Sequence, residues 1–202
     1  MQAAQEIASL KIPNTIMTIP QLPEGQVFIP SGRLGYPKLF KAEGIKGDAT
    51  SKPRYGCQIL VAKSDTATKA RIDAEIDRLA KVNFKGVKPK TKDLLIKDGD
   101  GEDGDENSKG CWIVSANRAE TQGRPQVVDR ARRALMPEDG KPYAGCYCNF
   151  VIGVFVPKNW SKICGSLEIV QFVKDGEPFG GARVDTAVMP ELPDDEDEEF
   201  EA

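Results

Sequence analysis

Cations and aromatic rings stand close together at several points in this chain. Lys52 and Arg54 lead into Tyr55, with Lys63 closing the same run; Trp112 is followed by Arg118 and Arg124; Arg130, Arg132 and Arg133 come after Val127-Val128-Asp129; and Tyr147 lies between Cys146 and Cys148. The chemistry such groups support is capture of a nucleic-acid strand. Cations neutralise phosphates, and exposed rings stack bases at roughly 1–3 kcal/mol per base. A ring taken singly is more often a core residue. It is the repeated pairing with flanking arginine that points to a binding face, with Tyr55, Trp112 and Tyr147 as stacking candidates and Lys52, Arg54, Lys63, Arg118, Arg124 and Arg132 as phosphate contacts.

Other chemistries are excluded or weak. The chain has no histidine, so Ser-His-Asp and Cys-His nucleophiles, His-ligated zinc and imidazole acid/base catalysis are closed to it. Asp98, Asp100, Glu102, Asp103 and Asp105 invite a cation-site reading, but the EF-hand pattern fails at Asp103, where Gly is required, and at Lys109, where Glu is required. A solvated loop is the better expectation. Gly176 to Gly181 lacks the Lys-Ser/Thr ending of a phosphate-binding loop, and Lys109 to Ala116 lacks the stacking aromatics of an RNA-recognition motif. Cys57, Cys111, Cys146, Cys148 and Cys164 form no CxxC pair, so reduced and mostly buried thiols are expected. Neither a catalytic role nor a metal or organic cofactor is indicated.

The elements that must carry these residues are mostly strands. Val27 to Ile29 and Arg33 to Phe40 read as extended chain broken by Gly and Pro. Arg54 to Lys63 alternates, with Tyr55, Cys57, Ile59 and Val61 on one face. Helical period takes over from Ser64 to Val82, where Ile72, Ile76 and Leu79 fall at i, i+4 and i+7 behind an N-cap at Asp65 or Thr66. Strand character returns at Cys111–Asn117, Gln126–Asp129, Cys146–Val156 and Ser166–Lys174. One helix among five or six strands fits a small five-stranded barrel of the OB type with long loops, although two-sheet sandwiches give similar patterns. No apolar run nears the roughly 20 residues of a membrane span, and no secretory signal is evident, so a soluble cytoplasmic protein is expected.

Charge is distributed unevenly along the chain. The whole sums to −3, yet the first 190 residues hold 28 basic against 23 acidic side chains, because Glu191 to Ala202 contains eight carboxylates and no cation. An acidic polymer joined to a basic body competes within the molecule for whatever polyanion the body binds, unless it serves only for solubility. The expected organisation is an extension over 1–26, a binding domain over 27–184 and a disordered acidic tail over 185–202.

Several segments, in order, resemble the OB-fold single-stranded DNA-binding proteins of tailed phages. They are Tyr36-Pro37-Lys38-Leu39-Phe40, Ile59 to Thr66, Ile96 to Asp100, Gly110 to Ala116, Arg124-Pro125-Gln126-Val127-Val128-Asp129, Tyr143 to Asn149 and Val170 to Gly181. The segment Pro157 to Cys164, with Trp160 and Lys162, departs from the pattern. The resemblance implies a sequence-tolerant single-strand binder acting in phage replication or recombination in the cytoplasm of a bacterial host. It also implies a tail that competes for the DNA cleft and docks on replication proteins, here Asp194, Asp195, Glu196, Asp197, Glu198, Glu199 and Phe200, with a homo-oligomer left open. The contrasting expectation is a phage assembly protein whose β-barrel packs into a shell without affinity for nucleic acid.

Overall fold

The structure is a computed structural model, and it describes residues 21–44, 48, 50–102 and 104–180. Most of the 1–26 extension and the tail residues Asp194 to Phe200 lie outside the described residues.

Seven strands form one sheet: β1 (Gln26–Glu43), β2 (Arg54–Ala62), β3 (Ile96–Asp98), β4 (Cys111–Ala119), β5 (Gln126–Val128), β6 (Tyr147–Phe155) and β7 (Cys164–Lys174). Their order is β3-β4-β2-β1-β6-β7-β5, and a further pairing of β4 with β7 closes β1, β2, β4, β7 and β6 into a five-stranded barrel. This is the barrel architecture expected from the sequence. The two additional strands, β3 and β5, are three-residue pieces laid against β4 and β7.

Strand β1 joins what the sequence presents as two extended pieces. Its first half pairs with β6 and its second with β2, the two ladders overlapping at Arg33. The pairing shifts between Ile29 and Gly32 and between Gly35 and Lys38, where Pro30-Ser31 and Tyr36-Pro37 bulge. Proline belongs at such bulges because it has no N–H to give the ladder. Ser31 and Tyr36 adopt φ of 47° and 46° there, and the Ser31 N–H donates to the side-chain Oδ1 of Asn149 on β6 at 3.0 Å instead of to a backbone carbonyl. The bends let one strand serve two sides of the barrel.

Inward-facing residues of all five barrel strands make the core: Ile29, Leu34, Ile59, Val114, Phe150, Ile152, Leu167 and Val170 are essentially sealed from water. Helix α1 (Thr66–Asn83) is capped by Asp65, whose carboxylate accepts from the Thr68 N–H at 3.0 Å, and it buries Thr68, Ile72, Ile76, Leu79 and Ala80 against β1 and β6. No described helix is long and apolar enough to cross a membrane.

The last described residues fold back over the barrel. Buried Arg33 donates to the carbonyls of Gly145 (3.1 Å) and Glu177 (2.8 Å), and its guanidinium lies 4.5 Å from the Phe179 ring centre. Phe179 covers Leu60, Cys111 and Ile113 on the outside of β2 and β4.

Barrel closure rests on one tight approach. Gly165 pairs with Ala116, and a Cβ at Gly165 would lie 2.6 Å from the Ser115 carbonyl oxygen. Gly165→Ala should therefore destabilise by about 1–3 kcal/mol, a fall in Tm of roughly 2–4 °C per kcal/mol in a chain of this size. Gly153→Ala, whose added Cβ meets nothing closer than 3.6 Å, should leave Tm unchanged or slightly raised. Equal melting of the two variants in a calorimetric scan would refute this account of closure.

Candidate nucleic-acid interface

Strands β2 and β4 run antiparallel with Arg54 opposite Ala119, Gly56 opposite Asn117 and Gln58 opposite Ser115. Because side chains alternate, these residues point away from the core formed by Cys57, Ile59, Val61, Val114 and Ala116. Gly56 leaves room for its cross-strand neighbour: a Cβ there would meet Asn117 Oδ1 at 2.3 Å, so the Asn117 amide occupies that space.

Two adjoining hollows cross this face and share Arg54, Ser115 and Asn117. The smaller, about 270 Å³, is walled by Tyr36, Lys38 and Lys52. The larger, about 690 Å³, is walled by Lys92, Lys97, Phe155, Trp160 and Lys162. Together they form one basic groove with rings at both ends. Tyr36, Phe155 and Trp160 are 59%, 42% and 62% exposed, so their faces are open to a planar ligand. The Lys162 ammonium lies 5.3 Å from the Trp160 ring centre. Two carboxylates also border the groove, Glu43 beside Lys38 and Asp93 beside Lys162, each at 3.4 Å. Exposed pairs of this kind are worth about 0–1 kcal/mol and give way readily to a stronger anion.

The residues expected from the sequence to bind divide between the groove and the scaffold. Lys52 and Arg54 line the groove. Tyr55 and Arg118 face each other on the opposite side of the same two strands. Arg118 is tied to Glu168 and to the carbonyls of Gln122 and Gly123, linking β4 to β7. Trp112 packs against the core, with the ammoniums of Lys63 and Lys69 at 5.0 and 4.8 Å from its ring centre. Lys63 is gripped by Asp100 (2.6 Å) and Asp98 (2.5 Å), whose hydrogen bonds raise its pKa. Tyr147 is buried, with the Lys174 ammonium 4.7 Å from its ring centre. Arg124 and Arg132 stand on exposed loops on either side of β5.

The acidic stretch is a loop with Asp98, Asp100, Glu102 and Glu106 exposed, as expected, but it is held in a fixed fold. Ser108 is buried and bonded to the Gly99 carbonyl, and Asp105 accepts from the Tyr36 hydroxyl at 2.5 Å. Burial works against the charge on Asp105, but hydrogen bonds from Tyr36, Ser108 and Asn107 outweigh it and hold the carboxyl below the usual range. Among the described residues no group of three or more Cys, Asp or Glu is arranged to hold a metal ion.

Sequence reasoning missed Tyr36, Lys38, Lys92, Lys97, Phe155, Trp160 and Lys162. A signal existed for two of them. Phe155 follows inward-facing Val154 and so must point out, and Trp160 lies between polar residues, Lys158-Asn159 before it and Ser161-Lys162 after.

A closed five-stranded barrel with a basic, ring-lined groove across its second and third strands, flanked by the loops that follow its first and fourth, defines an OB-fold protein. The chain belongs to the family described as Enterobacter phage Enc34, ssDNA-binding protein, whose model matches residues 25–200. It is 30% identical over 167 residues to protein p50 of Acyrthosiphon pisum secondary endosymbiont phage 1, covering 75% of this chain and 85% of that one. Among solved structures, the single-stranded DNA-binding protein from bacteriophage Enc34 in complex with ssDNA superposes with a TM-score of 0.68 at 29% identity, over 80% of this chain and 97% of that one. A second structure of the single-stranded DNA-binding protein from bacteriophage Enc34 gives a TM-score of 0.65 at 31% identity, over 83% and 95% of the two chains.

Cys164 is half-buried and borders the groove, whereas Cys57, Cys111, Cys146 and Cys148 are buried. Burial raises the Cys164 thiol pKa, so a larger share of it stays protonated and unreactive at neutral pH than in an ordinary thiol. Alkylation of the folded protein should give one adduct, at Cys164, forming faster as pH rises. Peptide mapping that found a second native adduct would contradict the burial pattern.

Proposed function

We propose that this protein binds single-stranded DNA without sequence preference, by laying the strand along the groove over β2 and β4. The observation that carries the reading is the continuity of that groove, which Lys38, Lys52, Arg54, Lys92, Lys97 and Lys162 line together with Tyr36 at one end and Phe155 and Trp160 at the other. A relative of the same fold is described as solved in complex with ssDNA, which supports the same use here. Lysine and arginine heads neutralise phosphates and release counterions, while the rings stack bases whatever their identity. The edges of β2 and β4 are already engaged with neighbouring strands, so little backbone remains for reading base edges. Lys52 and Arg54 keep their expected role. Lys63, Trp112, Arg118 and Tyr147 are assigned to the scaffold, and Tyr55, Arg124 and Arg132 to no direct part in the groove.

In this reading the protein coats single strands during phage replication or recombination in the bacterial cytoplasm. Residues 27–184 form the binding domain, and the acidic tail competes for the groove and recruits replication proteins. The position of Phe179 supports the competition. Its ring edge is near Gly35 and Gln58, and Gln58 is itself a groove residue, so the chain approaches the tail from beside the groove.

Fluorescence anisotropy of labelled dT oligonucleotides against a matched duplex tests the first claim. Expected are single-strand preference and a log–log salt slope reaching about −4 if all six groove cations engage phosphates. Trp160→Ala should weaken binding by the equivalent of about 1–3 kcal/mol, or roughly 5–150-fold, at unchanged Tm. No binding by the full chain would sink the proposal.

A chain ending at Pro190 tests the tail. It should bind dT more tightly than the full chain, most of all at low salt where carboxylates compete best, and it should lose the recruited partners. Equal affinity of the two chains would leave the tail a solubilising segment.

A further inference from the structure

Lys92, in the wall of the groove, ends a run of five lysines, Lys81, Lys85, Lys88, Lys90 and Lys92, uninterrupted by any carboxylate. All five are exposed. The run is held in a definite path from the end of α1 to the groove. Phe84 packs against the core, the Gly86 N–H donates to the Ala80 carbonyl at 3.0 Å, and the Val87 N–H to the Phe84 carbonyl at 3.0 Å. Lys88 pairs with Asp77 of α1 at 2.5 Å, and a tight turn from Lys90 to Asp93, closed at 2.8 Å, delivers Lys92 to the groove.

What sets this ridge apart is five lysines within twelve residues, with no carboxylate among them and one end in the groove wall. Several basic heads elsewhere are matched: Lys63 with Asp98 and Asp100, Lys69 with Asp73, Arg78 with Glu75 and Glu24, Lys109 with Glu106, Arg118 with Glu168, Lys141 with Asp175. Lys81, Lys85, Lys90 and Lys92 have no carboxylate partner among the described residues. The negative end of the α1 dipole reaches only the first of them. Cations fixed along one ridge repel each other in the free protein, and a polyanion lying along them relieves that repulsion and releases its own counterions. Val82 and Val87, 71% and 72% exposed on the same ridge, offer apolar contact beside the charges.

We infer that the ridge from Lys92 back to Lys81 is a second stretch of the single-strand path, which receives the phosphodiester backbone where it leaves the groove and carries it to the C-terminal end of α1. This rests on the groove being the primary site. It makes the bound length greater than the groove alone would hold, and it places the added contacts on phosphate, independent of sequence.

The test uses the full chain and two triple variants at positions outside the groove, Lys81→Gln/Lys85→Gln/Lys90→Gln and the charge-keeping Lys→Arg set. Binding is read across a salt series on dT strands of about 5 and about 30 nucleotides, which bracket the roughly 4–16 nucleotides that one OB fold covers. On the short strand the Gln variant should match the unaltered protein within about two-fold, since its groove is intact. On the long strand its salt slope should be shallower by about 2, at roughly 0.7 per lost contact, with weaker binding at low salt, and the Arg set should restore both. Unchanged long-strand binding beside intact short-strand binding would overturn the ridge and leave the groove standing. No binding of either strand by the unaltered chain would remove both. If the Gln set instead abolished self-association in sedimentation velocity without altering DNA binding, the ridge would be a docking surface for an acidic protein segment and the inference would fall.

Discussion

The barrel can close only where β4 and β7 come within backbone contact, and that contact is a single parallel pair, Ala116 with Gly165. Any side chain at 165 would press on the Ser115 carbonyl. Nearby, the Arg118–Glu168 pair fastens the same two strands, part-buried where the lower effective dielectric strengthens it. Ser115 and Gly165 are also part of the groove lining. The step that seals the core thus builds the floor of the groove, and the loop before β7, which holds Trp160 and Lys162, is brought opposite Arg54 by the same closure.

Closure also explains why cations of similar appearance in the sequence have different work. Arg33 is spent on two carbonyls and a ring that fix the returning C-terminal segment. Lys63 anchors the acidic loop, and Arg118 the barrel seam. The lysines that face the groove come instead from loops and from the outward side of strands. Local charge density does not separate the two groups; the direction of the side chain relative to the barrel wall does.

That division marks how far the sequence could be read. The alternation from Arg54 to Lys63 and the capped helix at Asp65 were legible because each depends on neighbours within a few residues. The barrel class followed from one helix among short strands. The binding face was harder, because Tyr55 and Trp112 share strand parity with Cys57, Ile59 and Val114, while Leu60, on the outer side, is buried under Phe179. With both faces of β2 partly apolar, alternation alone could not say which one met solvent. The fixed fold of the acidic stretch was not legible because the groups that hold it, Lys63 and Tyr36, lie 37 and 69 positions from their partners. Pro30 and Pro37 disguised β1 as two strands, since proline interrupts a strand except at a bulge, and the bulges are visible only in the register.

The long bent strand β1 has a consequence in time as well as in space. Its first half finds its partner in β6, with Ser31 bonded to a residue 118 positions further along. Pairings this remote must overcome loop-closure entropy before they return any stabilisation, and chains dominated by them fold in milliseconds to seconds. While it is being synthesised, β1 can pair with β2 but has no second neighbour until β6 has left the ribosome. Its first half therefore waits as an unpaired edge through most of translation, and the bulges at Pro30 and Pro37 make that waiting edge a poor template for pairing with another chain.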